Sequence, residues 1–354
     1  MARRSSSPTM KDIAKRANVS IGTVSRVLNR HDDVDDGLRE RVETIARKVG
    51  YRLSEKTRSV VHTKSRVIGL ILLNDFGLNS AQSLLLLGVE ETCSNAGYYL
   101  LFARHQYASN AAPADLEVPN VVQTPGLADC VIVAGTIHEN ILKALEDYGL
   151  RYVLLGNHYV DSGEKALQGN WVQFDDVSGC YQATQYLAQL GHKHIWYIGD
   201  DTRPWHKNRF KGYSQAINDL GLEHHAHTIA LSDDEFESGQ AAISYISDQK
   251  WPMTAILAAS DGLAFGAREG LRQHRLDVPR DVSLIGFEHE TGRARASNLT
   301  SVSVDMVEVG RHLAKAAIAQ IEGREKDVRG MTVPTYLVKR STCRPLRKEE
   351  HMML

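Results

Sequence analysis

No apolar run in the 354 residues approaches the roughly 18 needed for a helix to cross a bilayer, which excludes that class of membrane protein. Cysteine is scarce and scattered. Cys93, Cys130, Cys180 and Cys343 form no C-x-x-C pair and have no flanking histidine pattern, which argues against structural zinc and a disulfide scaffold and fits a reducing cytoplasm. The usual enzyme signatures are also missing. There is no G-x-G-x-x-G after a strand, no P-loop, no H-E-x-x-H and no G-x-S-x-G. The fifteen histidines do not gather with Cys or carboxylates at metal-ligand spacing, and His224-His225-x-His227 reads as an exposed loop, with adventitious metal binding as the lesser alternative. No enzyme activity, metal or cofactor is therefore expected. The basic stretch Met1–Pro8 has no apolar segment after it, so no secretory signal is expected either.

What is present is an ordinary globular composition, 42% hydrophobic and 24% charged, over a length that suits two or three domains. The net charge of −1 hides an asymmetry. Residues 1–66 carry 16 Lys/Arg against 8 Asp/Glu, while the remainder carries 26 against 35. A basic segment on an acidic chain points to a polyanion partner for that segment alone.

The basic segment is helix-patterned. Thr9 stands as N-cap of a short helix to Ala17, with Asp12 three residues on and Ile13, Ala14 and Ala17 as its apolar face. Asn18-Val19-Ser20 then breaks it: Asn tolerates the left-handed conformation of a tight turn, and Ser20 can cap the next helix. In Ile21–Asn29, Val24, Val27 and Leu28 point inward, leaving Thr23, Ser25 and Arg26 outward. Two short helices joined this way make a helix-turn-helix. A third helix is predicted from Asp36 to Val49, capped by Asp35 and stopped by Gly50, with Leu38, Val42, Ile45, Ala46 and Val49 closing a three-helix core.

These residues resemble the LacI/GalR family of bacterial repressors. The likeness rests on Thr9-x-Lys11-Asp12-Ile13-Ala14, then Ala17-Asn18-Val19-Ser20-x-x-Thr23-Val24-Ser25-Arg26-Val27-Leu28-Asn29, then Arg41-Val42 and Gly50-Tyr51. The resemblance implies that the second helix enters the major groove and that Ile21, Gly22 and Arg26 face base edges. Arg26 can fork onto guanine O6 and N7, Ile21 can touch a thymine methyl, and Gly22 offers no hydrogen bond. Thr9, Ser20, Thr23, Ser25 and Asn29 are candidates for phosphate contacts, which set register. The same resemblance makes Leu53–Val61 a hinge helix that meets the minor groove through Arg58 and Val60. Val60 stands at the position where relatives wedge a leucine, and it is shorter and β-branched.

From Val67 the pattern changes to apolar strands alternating with amphipathic helices, the mark of parallel α/β units. Strands are predicted at Val67–Leu73, Tyr98–Ala103, Cys130–Val133, Tyr152–Leu155, Trp171–Phe174, Ile195–Ile198, Ala255–Ala258, Ser283–Phe287, Ser301–Val304 and Val333–Lys339. That many strands suit two lobes with a ligand between them at the carboxyl ends. This half also resembles the family, whose core is like a periplasmic sugar-binding protein. The supporting residues are Gly88-Val89-Glu90, Leu190-Gly191-His192-x-x-Ile195, Asn208-Arg209-x-x-Gly212-Tyr213, Val278-Pro279-x-Asp281-Val282-Ser283-Leu284-Ile285-Gly286-Phe287 and Arg340-Ser341-Thr342.

The fold expected is thus a small all-α helix-turn-helix headpiece (1–52), a hinge helix and linker (53–66), and a periplasmic-binding-protein-like α/β core (67–346) of two doubly wound parallel-sheet lobes. The lobes are predicted at 67–160 with 299–325, and at 161–298 with 326–346. The tail 347–354 is too short for sustained heptads, so a dimer rather than a coiled-coil tetramer is expected. The resemblance makes Arg209 the ligand-contacting arginine, with a guanidinium that forks onto hydroxyls or a carboxylate. Glu288 occupies a place relatives usually fill with Asp. Arg203, Trp205, Asp261, Asp175, Asn157 and Gln82 are further candidates, Trp205 as a face on which a sugar ring stacks. The partners expected are operator DNA and a small molecule. A carbohydrate inducer is the first reading, and a purine or nucleoside corepressor the alternative.

Overall fold

The computed structural model describes residues 10–28, 34–48, 64–74, 80–160, 170–200, 202–228, 234–288, 298–324 and 330–346. They divide into two compact units, residues 1–65 and 66–354. Among the described residues no helix is long and apolar enough to cross a membrane.

Among its described residues the first unit holds three helices: α1 Met10–Ala17, α2 Ile21–Leu28 and α3 Asp36–Lys48. Asn18 takes φ 55°, the left-handed turn expected of it, and the Val19 amide bonds back to the Ala14 carbonyl. Ser20 caps α2 by accepting the Thr23 amide at 3.0 Å, and Asp35 caps α3 by accepting the Leu38 amide at 3.0 Å. Ile13, Ala14, Ala17, Val24, Val27, Val42 and Ala46 bury one shared core, flanked by Val19, Val34, Leu38 and Ile45.

The second unit holds two sheets. Strands β1 Val67–Leu73, β2 Tyr99–His105, β3 Cys130–Gly135, β4 Tyr152–Leu155 and β5 Trp171–Phe174 enter the first. Strands β6 Ile195–Gly199, β7 His225–Thr228, β8 Ala255–Ala258, β9 Ser283–Glu288 and β10 Thr300–Ser303 enter the second. The short closing strands β11 Met331–Val333 and β12 Tyr336–Val338 complete one sheet each. The orders are β11-β5-β4-β3-β1-β2 and β12-β10-β9-β8-β6-β7, all parallel except for β12 against β10. Each order reverses once, between β1 and β3 and between β6 and β8, and the crevice outside the carboxyl ends at such a reversal is where open α/β sheets take ligands.

Sheet pairing corrects the expected lobe boundaries. Trp171–Phe174 and Met331–Val333 pair in the first sheet, and Thr300–Ser303 in the second. The chain therefore changes lobe after Phe174, after Ser303 and after Val333, rather than near 161, 299 and 326. The single strand predicted over Val333–Lys339 is broken at Pro334-Thr335, and its halves go to different sheets. Proline cannot donate to a ladder, so the break falls where the strand must switch partners. The crossovers are tied together: the Asp175 amide donates to the Val333 carbonyl at 3.0 Å, and the Thr335 hydroxyl donates to the Asp175 carbonyl at 2.9 Å.

Helices α4 Ser80–Asn95, α5 Glu139–Asp147, α6 Asp176–Gln189, α7 Pro204–Asp219, α8 Glu235–Asp248, α9 Asp261–Gln273 and α10 Met306–Ile321 complete the described layers. Glycine permits the tightest approaches. A Cβ at Gly212 would lie 2.1 Å from the Val177 carbonyl oxygen, so the glycine of Asn-Arg-x-x-Gly-Tyr is what lets α7 rest on α6. At Gly135, with φ +87°, a Cβ would meet the Leu73 carbonyl at 2.0 Å, so the end of β3 turns tightly over β1 only with glycine.

Candidate ligand site and DNA-binding face

In the headpiece, Ile21 is 45% exposed at the start of α2, and Gly22 and Arg26 are exposed with it. An exposed isoleucine beside a glycine leaves an accessible apolar corner at the start of α2. The Ser20 and Thr23 hydroxyls lie 2.8 Å apart, so both already take part in the cap. Thr9, Asn29, Arg58 and Val60 lie outside the described residues, as does the side chain of Ser25.

In the second unit, Arg209 is 1% exposed and is the largest fully buried side chain. A buried guanidinium needs partners for its donors, and these are present. Nε donates to Asp176 Oδ1 at 2.8 Å; Nη1 donates to the Ala259 carbonyl and, at 3.3 Å, to Glu288 Oε1. The guanidinium carbon sits 3.8 Å from the Phe287 ring centroid. Burial pulls Arg209 down, but Asp176 and Glu288 more than reverse this and hold it above its ordinary value. Burial raises Asp176 and Glu288, with Arg209 opposing in each case.

Asp176, rather than Asp175, is the carboxylate that meets Arg209. Asp175 is the N-cap of α6, its side chain accepting the Ser178 amide at 2.9 Å. Asn157, after β4, orients Asp176: its amide donates to Asp176 Oδ2 at 2.7 Å and to the Phe174 carbonyl at 2.8 Å, and its oxygen accepts the Phe174 amide. No sequence motif marked Asp176. Its signal is only that two adjacent acids begin a helix, one of which must cap.

Asp261 is buried at the start of α9, beneath Gly286, where Oδ1 accepts the Ser301 hydroxyl at 2.7 Å. Arg203 pairs with Glu235 at 2.8 Å and with Asp200 at 3.5 Å. Glu288 adopts φ 105°, an uncommon conformation for a side-chain-bearing residue, at the end of β9. Gln82 is half-buried in the first turn of α4.

Trp205 opens α7 in the second lobe and faces His158 of the first, with ring centroids 4.8 Å apart. The Gly135 amide donates to His158 Nδ1 at 2.9 Å, and burial and then Arg209 push His158 down to about 3. His206, unmarked by the sequence, is buried beside Trp205. Its Nδ1 accepts the Asp200 amide at 3.1 Å, which leaves Nε2 as a buried nitrogen with no partner. The site therefore combines a rigid guanidinium, several carboxylates and an aromatic wall at the carboxyl ends of both sheets.

The histidine-rich stretch is not the loop expected of it. Residues 225–228 form the edge strand β7, and His225 packs beside His194 with its ring stacked on Trp196. Burial, then His194, lowers His225 below its ordinary value. His224 behaves as a surface residue, bonding to the Asn218 side chain at 2.7 Å.

Comparison with known proteins agrees with this architecture. Residues 9–54 match the pattern described as bacterial regulatory proteins, lacI family, and residues 184–343 that of a periplasmic binding protein-like domain. The chain is 30% identical over 342 residues to the HTH-type transcriptional repressor CytR of Escherichia coli K12, covering 96% of this chain and 97% of that one. Among solved structures, the lac repressor dimer bound to operator and an anti-inducer superposes with a TM-score of 0.75 at 20% identity, over 95% of this chain and 99% of that one. A CelR–cellobiose complex gives a TM-score of 0.67 at 24% identity, with the same shares covered.

Proposed function

The chain belongs to the LacI family of bacterial regulatory proteins, ligand-responsive DNA-binding repressors rather than enzymes, and from that premise we propose that it represses as a homodimer whose headpieces read a pseudo-palindromic operator. A small molecule binds between the core lobes and releases the DNA, in the cytoplasm where the operator lies. The observation that carries the ligand half is the Arg209 network at the carboxyl ends of the second sheet.

The chemistry of that network favours a neutral polyol. Asp176, Asp200, Glu235 and Glu288 outnumber Arg203 and Arg209 there, so a phosphate or carboxylate ligand meets excess negative charge, whereas hydroxyls both donate to the acids and accept from the guanidinium. Trp205 offers its face to a sugar ring. A solved relative of the same fold holds cellobiose, which supports a carbohydrate as first choice. A purine or nucleoside corepressor is the second reading, favoured by the Trp205–His158 pair, because an indole face offers a flat base a stacking surface.

A panel of sugars and nucleosides screened by thermal shift on the full chain identifies the ligand, since a cognate compound at 100 times its Kd adds about 2.7 kcal/mol. Operator affinity is then measured with and without it. Weakening supports induction and tightening supports corepression; an operator affinity indifferent to a bound ligand would overturn both.

A further inference from the structure

We propose that His194, His225 and Glu223, at the outer edge of the second sheet, form a binding site for a first-row divalent cation, Zn2+ foremost. The site lies at the amino ends of β6 and β7, and the inference does not rest on the ligand reading above.

The geometry is specific. His194 Nδ1 and His225 Nε2 lie 3.3 Å apart, and one oxygen of Glu223 joins them so that all three atoms fall within 4.8 Å of one another. Zn–N bonds of about 2.0–2.1 Å at a tetrahedral angle place two imidazole nitrogens about 3.3 Å apart, the separation found here. Glu223 Oε2 is 3.7 Å from His225 Nε2, and with the Glu223 side chain 82% exposed, a rotamer change closes the remaining gap without moving the backbone.

The two histidines are held in place by groups that do not compete for the metal. The His194 carbonyl accepts the Thr254 and Ala255 amides at 3.1 and 3.2 Å and the Thr254 hydroxyl at 3.2 Å. The Tyr213 hydroxyl donates to the His225 carbonyl at 3.0 Å and accepts the His225 amide at 3.1 Å. The His225 ring lies nearly parallel to buried Trp196, with centroids 5.2 Å apart and planes at 22°. Trp196 is itself fixed by its indole N–H on the Pro252 carbonyl at 2.8 Å. Such fixed backbones and a stacked ring supply the preorganisation a metal site requires.

The donor set selects the class of cation. Two imidazoles and one carboxylate suit Zn2+ and its neighbours, whereas Mg2+ and Ca2+ require more oxygen ligands than are gathered here. Three protein ligands leave one coordination position for water. The bound ion would pin the segment leading into β6 to the edge strand β7, and so act on the stability of this edge rather than on a reaction.

The test uses the full chain, stripped with a chelator and titrated with ZnCl2 by calorimetry, with Co2+ as the absorbing probe of coordination. The proposal expects one equivalent bound in the micromolar range, the intense visible bands of tetrahedral Co2+, and a higher melting temperature with Zn2+. Glu223→Gln, at an exposed position where folding is indifferent, should weaken binding by at least about the tenfold that even outer-shell partners command. His194→Asn and His225→Gln should abolish it, while His224→Ala should leave it unchanged. Absence of a stoichiometric site overturns the proposal. So does Zn2+ affinity that survives Glu223→Gln intact, or affinity that is lost with His224→Ala; His194 and His225 then share only an N–H···N hydrogen bond.

Discussion

Trp205 of the second lobe meets His158 of the first, with 4.8 Å between ring centroids and the planes tilted by 45°, and so links the two lobes. The Gly135 amide donates to His158 Nδ1, a bond that a protonated Nδ1 cannot accept.

His158 therefore makes stability depend on pH. Its folded value of about 3 lies below the ordinary 6.5, so the folded state binds fewer protons than the unfolded one between those values. The stability is fully present above pH 6.5 and is lost as pH falls; between pH 6.5 and 5 the loss attributable to this residue is about 2 kcal/mol. Denaturant unfolding across that range checks it, and His158→Gln should remove this residue's share while buried His206, held down in the same direction, keeps its own.

Adjacent acids should behave differently. Asp175→Ala removes a helix cap and is expected to cost about 1 kcal/mol while ligand affinity is kept. Asp176→Asn leaves a buried guanidinium short of its closest carboxylate, at a cost of about 3 kcal/mol, and abolishes ligand binding. Equal effects of the two on ligand affinity would reverse the assignment.

Gly212→Ala forces a methyl toward a backbone oxygen 2.1 Å away, so α7 must lift from α6. A destabilisation of about 1–3 kcal/mol is expected in chemical denaturation. Because α7 carries Trp205 and Arg209, ligand affinity should fall as well.

Arg26→Ala should relax preference at one base pair per half-site, at about 1–3 kcal/mol. With Ile21 and Gly22 beside it offering no hydrogen bond, much of the remaining specificity is expected to rest on DNA deformability. A binding-site selection that returns unchanged base preferences removes Arg26 from the reading set.

Local chemistry made much of this fold legible. β1, β4, β5 and β8 begin and end where their apolar runs do, and Asn18, Ser20 and Asp35 shape the headpiece as turn and cap residues should. The candidate site was marked in sequence by the Arg209 motif, in which Gly212 serves helix contact and Tyr213 anchors under β6 and β7. What escaped was decided by non-local pairing. Nothing between Val333 and Lys339 states that the two halves of this run join different sheets. His-Ala-His-Thr carries no apolar pattern, because an edge strand needs little burial to exist. Asp175 and Asp176 are distinguished only once the helix axis is known.

The break at Pro334-Thr335 has a thermodynamic consequence. Its two halves supply a border strand to each sheet, so neither lobe owns a complete set of strands without the segment that the other also uses. Local opening of residues 330–338 exposes an unpaired edge on both sheets together. The lobes should accordingly melt as one cooperative unit, and hydrogen exchange should show β5 and β10 opening with the same free energy.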